Sequence, residues 1–521
     1  MVTPARAVRH IRTFALALRF IVQLWWLQRL RFLRGKRQAQ VASRLFTRQA
    51  HEFVAFATDM GGLIIKVGQF FSVRIDLLPK EYIDVLLTLQ DSIPAVPTPA
   101  IVAVIEDELH KPLNDIYTSF DDTPLAAASL GQVHRASLPD GTPVAVKVLR
   151  PGIEDLVATD LNILSRLLTV LDRLFRLREL MDVEGLKADF TRTFSDELDY
   201  VKEGHTAEQF QGDLLYNPHV DIPKVYWNYS SRRVLTMEFM DGVRIDDMAA
   251  IDAWGVNRHD LAENLAGIFF SMVLTSGRFH ADPHPGNIFV ASSGVIQLLD
   301  FGMVGTVDPS SRSQYTALLA SLVGRDANGI VDALASLKFL GPGTDRVRMA
   351  QLIGPHIDAI VGDVTGFYSG TSIVDGLIGG QVKLSVGPEQ LAEIQRFVFS
   401  QPIILPANTA FLGKALVTVI GLCLRLDPGI DLLATAAPYV TGPAVWLQTL
   451  DQAKQAAKNI VPNTRRLLRV AQRLGDGSFE ADMGALIESR IEDAQRRQTR
   501  TIIKALALAA AGLAIVLRRR G

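Results

Sequence analysis

The stretch that decides the fold is RFHADPHPGNIFV, residues 278–290. Asp282 and Asn287 stand five residues apart in it, among prolines and a glycine, and the strand-like Ile-Phe-Val follows. Carboxylate and amide oxygens in this pattern are typical of a catalytic loop that acts on nucleotide phosphates with Mg²⁺. Two other interpretations are open: a transition-metal site in which His280 and His284 join Asp282, and an ordinary polar turn.

Two further motifs bear on this choice. Asp300, followed by Phe301-Gly302, lies eighteen residues beyond Asp282 at the end of an apolar strand. In VAVKV, residues 144–148, the alternation places Lys147 on the strand face opposite the valines. A strand lysine, an Asp-x4-Asn loop and an Asp-Phe-Gly in this order are typical of kinases. The metal-site interpretation leaves Lys147 and Asp300 unexplained, so we favour the phosphotransferase and give His284 a supporting role.

The glycine-rich loop of ordinary protein kinases is absent from the first hairpin. Its place is taken by PLAAASLGQVH, residues 124–134. Alanine disfavours positive φ and prevents a close approach of the backbone to a ligand. The sequence therefore predicts phosphate coordination that differs from that of an ordinary protein kinase.

The order of predicted elements sets the fold class. Residues 131–138 and 142–149 flank a Pro-Asp-Gly turn and predict a β-hairpin, and 287–290 and 295–300 predict a second one. Helical periodicity dominates most of the rest of the chain. A β-rich segment with helices, followed by a helical region, predicts an α+β, two-lobed, kinase-like fold.

Composition excludes several classes of protein. The chain has 521 residues, which suggests about three domains. Its net charge of -1 gives no reason to expect a nucleic-acid partner. A single cysteine, Cys423, rules out a disulfide framework and any zinc site with two thiolates.

The N-terminal segment points to a membrane surface. Residues 1–51 contain eleven Arg or Lys and no acid, and the apolar run 14–27 is too short to span a bilayer. A basic helix with Trp25 and Trp26 suits an anionic membrane, although a helix packed on the protein's own core is an equal alternative. At the helical period, five polar side chains lie on one stripe: Arg12, Arg19, Gln23, Arg34 and Arg37.

The C-terminal segment 502–517 has sixteen residues with Lys504 as its one charge, and arginines flank it on both sides. As a helix it measures about 24 Å against a hydrocarbon core of about 30 Å, and snorkelling arginines can make up the difference. We favour a membrane anchor of undecided orientation. The alternatives are a helix in the bilayer interface, a helix paired with another protomer, and a helix docked on the domain.

Taken together, the motifs resemble those of the UbiB family of atypical kinase-like proteins, which is associated with coenzyme Q biosynthesis. The resemblance is carried by the KxGQ motif, the alanine-rich loop, the strand lysine, the ExD motif, the catalytic loop and the Asp-Phe-Gly. It covers residues 60–305, and more loosely the chain to about 440. In order, the residues are Lys66, Gly68 and Gln69; Ala126, Ala127, Ala128 and Ser129; Lys147; Glu197 and Asp199; Asp282 and Asn287; and Asp300.

The resemblance implies a role for each motif. Lys147 would contact the ATP phosphates and pair with Glu197, although Glu203 is a nearby competitor. Asn287 and Asp300 would hold Mg²⁺, and Asp282 would occupy the position of a catalytic base. The alanine-rich loop would bind the nucleotide and restrain ordinary kinase activity. Lys66, Gly68, Gln69 and Asp199 would be regulatory, because in the family the KxGQ helix occludes the place where a protein substrate would dock.

Two more residues, Glu238 and Met240, lie in the segment 234–242, which is predicted to be a strand that ends in a turn, and are assigned to nucleotide binding. One departure from the family pattern lies after the ExD motif, where Gly204 and Thr206 replace the usual alanine and asparagine. Glycine in a helix costs about 1 kcal/mol relative to alanine, so the local geometry there is less certain than at the main site.

The sequence and the resemblance thus predict a membrane-associated, kinase-like ATPase that supports quinone or isoprenoid lipid biosynthesis, on the cytoplasmic face of a bacterial inner membrane. Its expected cofactors are ATP and Mg²⁺, and its expected partners are membrane lipids and lipid-biosynthesis enzymes. A nucleotide-binding regulator with negligible turnover, and a kinase for a protein or small molecule, are the alternatives. The predicted domains are a basic N-terminal segment 1–55, a helical KxGQ extension 56–112, an N-lobe with a helical insert 113–242, a helical C-lobe 243–450, a helical tail 451–500 and a membrane anchor 501–521.

Overall fold

The computed structural model describes residues 4–29, 36–61, 63–72, 78–86, 88–89, 94–175, 183–341, 343–356 and 407–441 of the chain. The elements named below lie in one compact unit, residues 1–436, and the last described helix continues past its end. The predicted helical tail 451–500 and membrane anchor 501–521 lie outside the described residues.

Helices precede, interrupt and follow the strands. The described strands are β1 Ser119–Phe120, β2 Ala126–Ala127, β3 Gly131–Ser137, β4 Pro143–Leu149, β5 Val220–Asp221, β6 Val234–Glu238, β7 Val243–Arg244, β8 Arg278–His280, β9 Ile288–Val290, β10 Ile296–Leu298 and β11 Val304–Thr306. The described α-helices are α1 Pro4–Arg29, α2 Lys36–Met60, α3 Leu63–Ser72, α4 Lys80–Leu86, α5 Thr98–Leu109, α6 Leu113–Ile116, α7 Ile153–Phe175, α8 Val183–Asp196, α9 Tyr200–Asp213, α10 Met248–Ala253, α11 Arg258–Phe270, α12 Pro309–Val323, α13 Ala327–Ser336, α14 Arg346–Ile353, α15 Ala407–Leu426 and α16 Leu432–Thr441.

The first sheet has the order β1-β3-β4-β6, with β2 also paired to β3. The predicted hairpin is confirmed: β3 and β4 are antiparallel and joined by a turn in which Gly141 has φ +85°. On one face of β4, Val144, Val146 and Val148 are fully buried and pack with the apolar side of α5. This packing turns Lys147 to the other face, as the alternation predicts.

The second sheet, β5-β10-β9-β7, and the pair β8-β11 form the frame of the catalytic region. The second predicted hairpin is confirmed as β9 and β10, and β8 pairs with β11 through His280 and Val304. The catalytic loop runs from β8 to β9, and the Asp-Phe-Gly segment runs from β10 to β11. Because the strands on both sides of these loops are paired, the two loops are held next to each other.

The N-terminal helices pack on the kinase-like part through a buried ion pair. Arg9 on α1 donates two hydrogen bonds to Asp160 on α7, both at 2.6 Å, and also donates to the carbonyls of Met60 and Gly61. Arg9 and Asp160 are 9% and 5% exposed. Removing one partner of such a buried pair costs about 3–5 kcal/mol, so this contact fixes α1 and the end of α2 on α7.

Three residues of the predicted polar stripe, Arg12, Arg19 and Gln23, lie on α1 and contact α2. Arg37 lies on α2, and Arg34 lies outside the described residues. Arg12 pairs with Asp59 and Arg19 with Glu52, and the side chain of Gln23 accepts a hydrogen bond from Gln49. Helix α1 therefore packs on α2 through part of its polar stripe, as the alternative of packing on the protein's own core predicts. Within the described residues, no helix combines the length and apolarity needed to cross a bilayer.

Candidate functional site

Lys147 lies at the centre of the site. Its Nζ donates to Glu203 Oε1 on α9 at 2.7 Å and to Asp300 Oδ2 at 3.0 Å, and it stands over the ring of Tyr200. Burial alone would lower the pKa of Lys147, but the charges of Asp300 and Glu203 raise it well above its ordinary value. Lys147 is therefore a fixed positive charge that links the first sheet to the catalytic region.

The prediction that Lys147 pairs with Glu197 is wrong. The partner on the helical side is Glu203, six residues later, while Glu197 Oε2 lies 3.5 Å from Lys66 Nζ on α3. The reason is the geometry of the chain: α9 begins at Tyr200 and carries Glu203 into the core beneath β4, whereas Glu197 precedes that helix. Burial raises the pKa of Glu203 to about 7, against the opposing charge of Lys147.

Asp300 faces the cleft at the start of the Asp-Phe-Gly segment. Its Oδ1 accepts a hydrogen bond from the Gly302 N–H at 2.9 Å, and its side chain is 39% exposed. Burial would raise the pKa of Asp300, but Lys147 and the Gly302 N–H hold it well below the usual range. Phe301 is buried against Phe210 of α9 and anchors the segment. Asp300 is thus an ionised carboxylate with access to solvent.

The catalytic loop holds Asp282 by its backbone. The Asp282 N–H donates to His280 Nδ1 at 3.2 Å, and the Asp282 carbonyl accepts from the Asn287 side chain at 3.1 Å. His284 accepts from the Gly286 N–H through Nδ1, so its supporting role in the turn agrees with the prediction. Burial would raise the pKa of Asp282, but Lys414, His284 and Lys66 hold it below its usual value.

The donor set next to Asp282 fits Mg²⁺. Asn287 Nδ2 donates to the Asp282 carbonyl, and this bond leaves Oδ1 as the oxygen that the amide can offer to a metal. The Leu299 N–H donates to the Asn287 carbonyl at 3.0 Å, which places Asn287 beside the residue that precedes Asp300. Oxygens of an amide and a carboxylate are ligands that Mg²⁺ prefers. The described residues contain no cluster of three or more His, Cys, Asp or Glu that could hold a metal.

The alanine-rich loop forms a tight turn above the strand lysine. Ala126 and Ala127 pair with β3, the Ala128 N–H donates to the Gly131 carbonyl, and Arg150 donates to the Ala128 carbonyl at 2.9 Å. Ser129 is 2% exposed, and its Oγ has no hydrogen-bond partner among the described residues. A buried hydroxyl without a partner at this place fits a ligand oxygen.

Three further residues of the predicted site are Asp199, Glu238 and Met240. Asp199 is the N-cap of α9 and accepts from the N–H groups of Val201 and Lys202. Glu238, at the exposed end of β6, accepts from the Lys224 N–H at 3.3 Å, and Met240 is half-buried just beyond it. A regulatory role of Asp199 and nucleotide contacts of Glu238 and Met240 stay predictions.

The KxGQ residues lie on α3 at the edge of the site. Lys66 bonds to Glu197 and contributes positive charge at both Asp282 and Asp300. Gly68 is buried, and a Cβ there would collide with Leu89 and Phe53, so its lack of a side chain allows α3 to pack against α2 and α4. The side chain of Gln69 lies outside the described residues.

Sequence reasoning missed Lys414. This lysine on α15 bonds to Asp282 Oδ1 at 2.9 Å, across a separation of 132 residues. The one signal was a single lysine in an otherwise apolar helical stretch. The structure also explains why Gly204 departs from the family pattern. A Cβ at this position would lie 2.7 Å from Trp227, so glycine lets α9 pack closely against this ring.

A twisted sheet with a strand lysine, a helix glutamate that pairs with it, and a catalytic loop beside an Asp-Phe-Gly segment define the protein as an atypical kinase-like protein. The model of the ABC1 atypical kinase-like domain matches residues 88–334. The chain belongs to this family, together with the UbiB proteins that the motifs indicate.

Among its relatives, the probable protein kinase UbiB of Marinobacter nauticus is 31% identical, over 88% of this chain and 83% of that protein. An uncharacterized Synechocystis protein is 31% identical over 89% of this chain and 80% of its own length. The chloroplastic protein ACTIVITY OF BC1 COMPLEX KINASE 8 of Arabidopsis thaliana is 31% identical over 83% of this chain and 61% of that protein. These matches extend well beyond the kinase-like domain.

A solved Mycobacterium tuberculosis structure, a complex with erythromycin, matches with a TM-score of 0.53. The match covers 78% of this chain and 99% of that one at 23% identity. At this identity the likeness concerns the fold alone, which agrees with the predicted kinase-like class.

Proposed function

We propose that the protein is a membrane-associated, kinase-like ATPase that uses Mg²⁺ and supports quinone or isoprenoid lipid biosynthesis. The observation that carries the proposal is the bonding of Lys147 to both Glu203 and Asp300. This arrangement joins the two halves of a nucleotide site in which a metal carboxylate and a phosphate-binding lysine are already adjacent. The lipid pathway rests on the association of the UbiB family with coenzyme Q.

Each residue of the site has a place in ATP turnover. Lys147 would bind the α- and β-phosphates as a point charge, and Ser129 would offer its hydroxyl to the phosphates. Asn287 and Asp300 would hold Mg²⁺, which neutralises charge on the phosphates. Asp282 would accept one proton from the attacking water as the water oxygen bonds to the γ-phosphorus and ADP leaves.

The position of α3 supports water as the acceptor. Lys66 pairs with Glu197 and helps to lower the pKa of Asp282, so α3 lies close to the predicted catalytic base. The resemblance to the UbiB family implies that this helix occludes the place where a protein substrate would dock. A folded protein substrate would have to displace this helix. Hydrolysis, or transfer to a small acceptor, is therefore favoured over phosphorylation of a protein.

Steady-state ATP hydrolysis by the purified chain tests the proposal. We expect turnover with Mg²⁺ that stops when the metal is chelated and that rises on anionic vesicles. Nucleotide binding without turnover would instead support a regulator. Transfer of the γ-phosphate of labelled ATP to an acceptor, lost in Asp282→Asn, would support a true kinase.

The surface of α1 supports the membrane part of the proposal. Because the polar stripe contacts α2, a neighbouring stripe of apolar side chains faces outward, each more than half exposed. Their spacing places them within one narrow arc of the helix. The stripe consists of Val8, Ile11, Leu18, Val22 and Trp26.

We propose that this apolar stripe lies on an anionic membrane, at the cytoplasmic face of a bacterial inner membrane. Residues 1–51 carry eleven basic residues and no acid. Arg9, Arg12 and Arg19 pair with carboxylates of the protein, and the segment keeps a net positive charge that complements anionic headgroups. An exposed apolar face with basic neighbours is the pattern of a helix that lies in the bilayer interface. Contact with lipid would also place the protein next to lipid-biosynthesis enzymes.

The variant Leu18→Glu/Val22→Glu is expected to bind phosphatidylglycerol vesicles at least about tenfold more weakly, since each lost apolar side chain forfeits about 1.5–3 kcal/mol of burial. Vesicle co-sedimentation measures this. Val347→Glu on α14, another exposed valine, is the matched control and should bind like the wild type. The proposal would be contradicted if the double variant bound vesicles as tightly as the wild type. It would also be contradicted if the double variant lost self-association and not lipid binding.

A further inference from the structure

Lys414 is a charge in an unusual place. It lies on α15, where the other side chains are mainly apolar and the second charge, Arg425, is exposed near the helix end. The side chains of Lys414 and Asp282 are 24% and 21% exposed, and their ion pair measures 2.9 Å. A lysine in so apolar a setting costs free energy unless it is paired.

Packing of α15 does not require this ion pair. Leu412, Ala415 and Val419 are buried on the same helix, and Cys423 is fully buried with its Sγ 3.4 Å from the Ala262 carbonyl of α11. The helix is therefore docked by apolar contacts. The lysine adds a contact to one particular oxygen of the catalytic loop instead of holding the helix in place.

The contacts of Asp282 show what Lys414 adds. The backbone of Asp282 is fixed by His280 and Asn287, but those bonds leave the carboxylate free to rotate. Lys414 binds Oδ1, and Oδ2 faces His284 Nε2 at 3.8 Å, beyond hydrogen-bond distance. With Oδ1 occupied, Oδ2 is the oxygen that can accept a proton from a reacting hydroxyl.

We propose that Lys414 is a positioning residue for Asp282, an inference that rests on the proposed ATPase function. In hydrolysis, the water oxygen bonds to the γ-phosphorus, the bond to the ADP oxygen breaks, and the water proton passes to Asp282 Oδ2. Lys414 takes no proton. It fixes the rotation of the carboxylate, on the acceptor side of the site, while Lys147 serves the phosphates.

The test compares Lys414→Met, Lys414→Arg and the wild type in ATP turnover and in MgADP binding. For Lys414→Met we expect kcat about 100-fold lower, because a misplaced reacting group costs about that much. KM and MgADP affinity should stay unchanged, which also shows that the variant is folded. Lys414→Arg retains the charge and should recover much of kcat. Arg425→Met, on the same helix, is the matched control with wild-type kcat.

With an active wild type, the inference would be overturned if Lys414→Met had the wild-type kcat. It would also be overturned if Lys414→Met had a higher kcat, which would mean that Lys414 inhibits turnover. The third such result is a Lys414→Arg variant as inactive as Lys414→Met. Binding of MgADP with aluminium fluoride gives a second reading, since Lys414→Met should lose the extra affinity that this mimic of the transferring phosphoryl group confers on the wild type. If the wild-type chain itself shows no turnover, the proposed function falls and this inference falls with it.

Discussion

Asp300→Asn is expected to lower Mg²⁺-dependent ATP hydrolysis by at least about 100- to 1,000-fold, the usual cost of removing a charge-stabilising group from a site. Asp300 is ionised, because Lys147 and the Gly302 N–H hold its pKa well below the ordinary value. It is also open to the cleft, where a metal can reach it. The amide keeps the shape of the side chain and removes the negative charge that Mg²⁺ and Lys147 both require.

The measurement is steady-state turnover over a range of Mg²⁺ concentrations. Asp332→Asn on α13, an exposed aspartate far along the chain, is the control and should turn over ATP like the wild type. Lys147 retains the buried Glu203 in the variant, and the side chain of Asp300 is 39% exposed, so the thermal midpoint should fall less than in a variant of Glu203. Wild-type turnover in Asp300→Asn would remove the metal role of this residue and with it the proposed mechanism.

Glu203→Gln is expected to lower both the free energy of unfolding and the affinity for nucleotide, and this is the second large effect. Glu203 is 4% exposed and bonds to Lys147, whose side chain is 16% exposed. Removing one charge from a buried pair costs about 3 kcal/mol or more, because the other charge stays buried with less compensation. Lys147 would then be drawn toward Asp300 and away from the phosphates.

Denaturant unfolding and ATP titration measure the two effects. Glu197→Gln is the matched variant: it changes the same residue type six positions earlier, and its carboxylate lies by Lys66 and not by Lys147. We expect nucleotide affinity to fall in Glu203→Gln and to persist in Glu197→Gln. The reverse order would mean that Lys147 pairs with Glu197 in solution, and the assignment of the pair would have to be withdrawn.

Local patterns in the sequence determined much of the fold and of the site. Both hairpins, the face of β4 that carries Lys147, and the loop that carries Asp282 and Asn287 follow from alternation, turn residues and short spacings. These features need neighbours only a few residues away. The family followed from the same motifs, because their order along the chain is itself a property of the sequence.

The tertiary structure decided which distant groups meet. Glu197 and Glu203 are both plausible partners of Lys147 by position, and the packing of α9, allowed by Gly204 against Trp227, selected Glu203. Lys414 reaches Asp282 from 132 residues away, where no local pattern points to it. Periodicity shows which side chains share a face of a helix, but it does not show which neighbour that face contacts. The ion pairs of Arg12 and Arg19 with α2 decided that the apolar stripe of α1 faces outward.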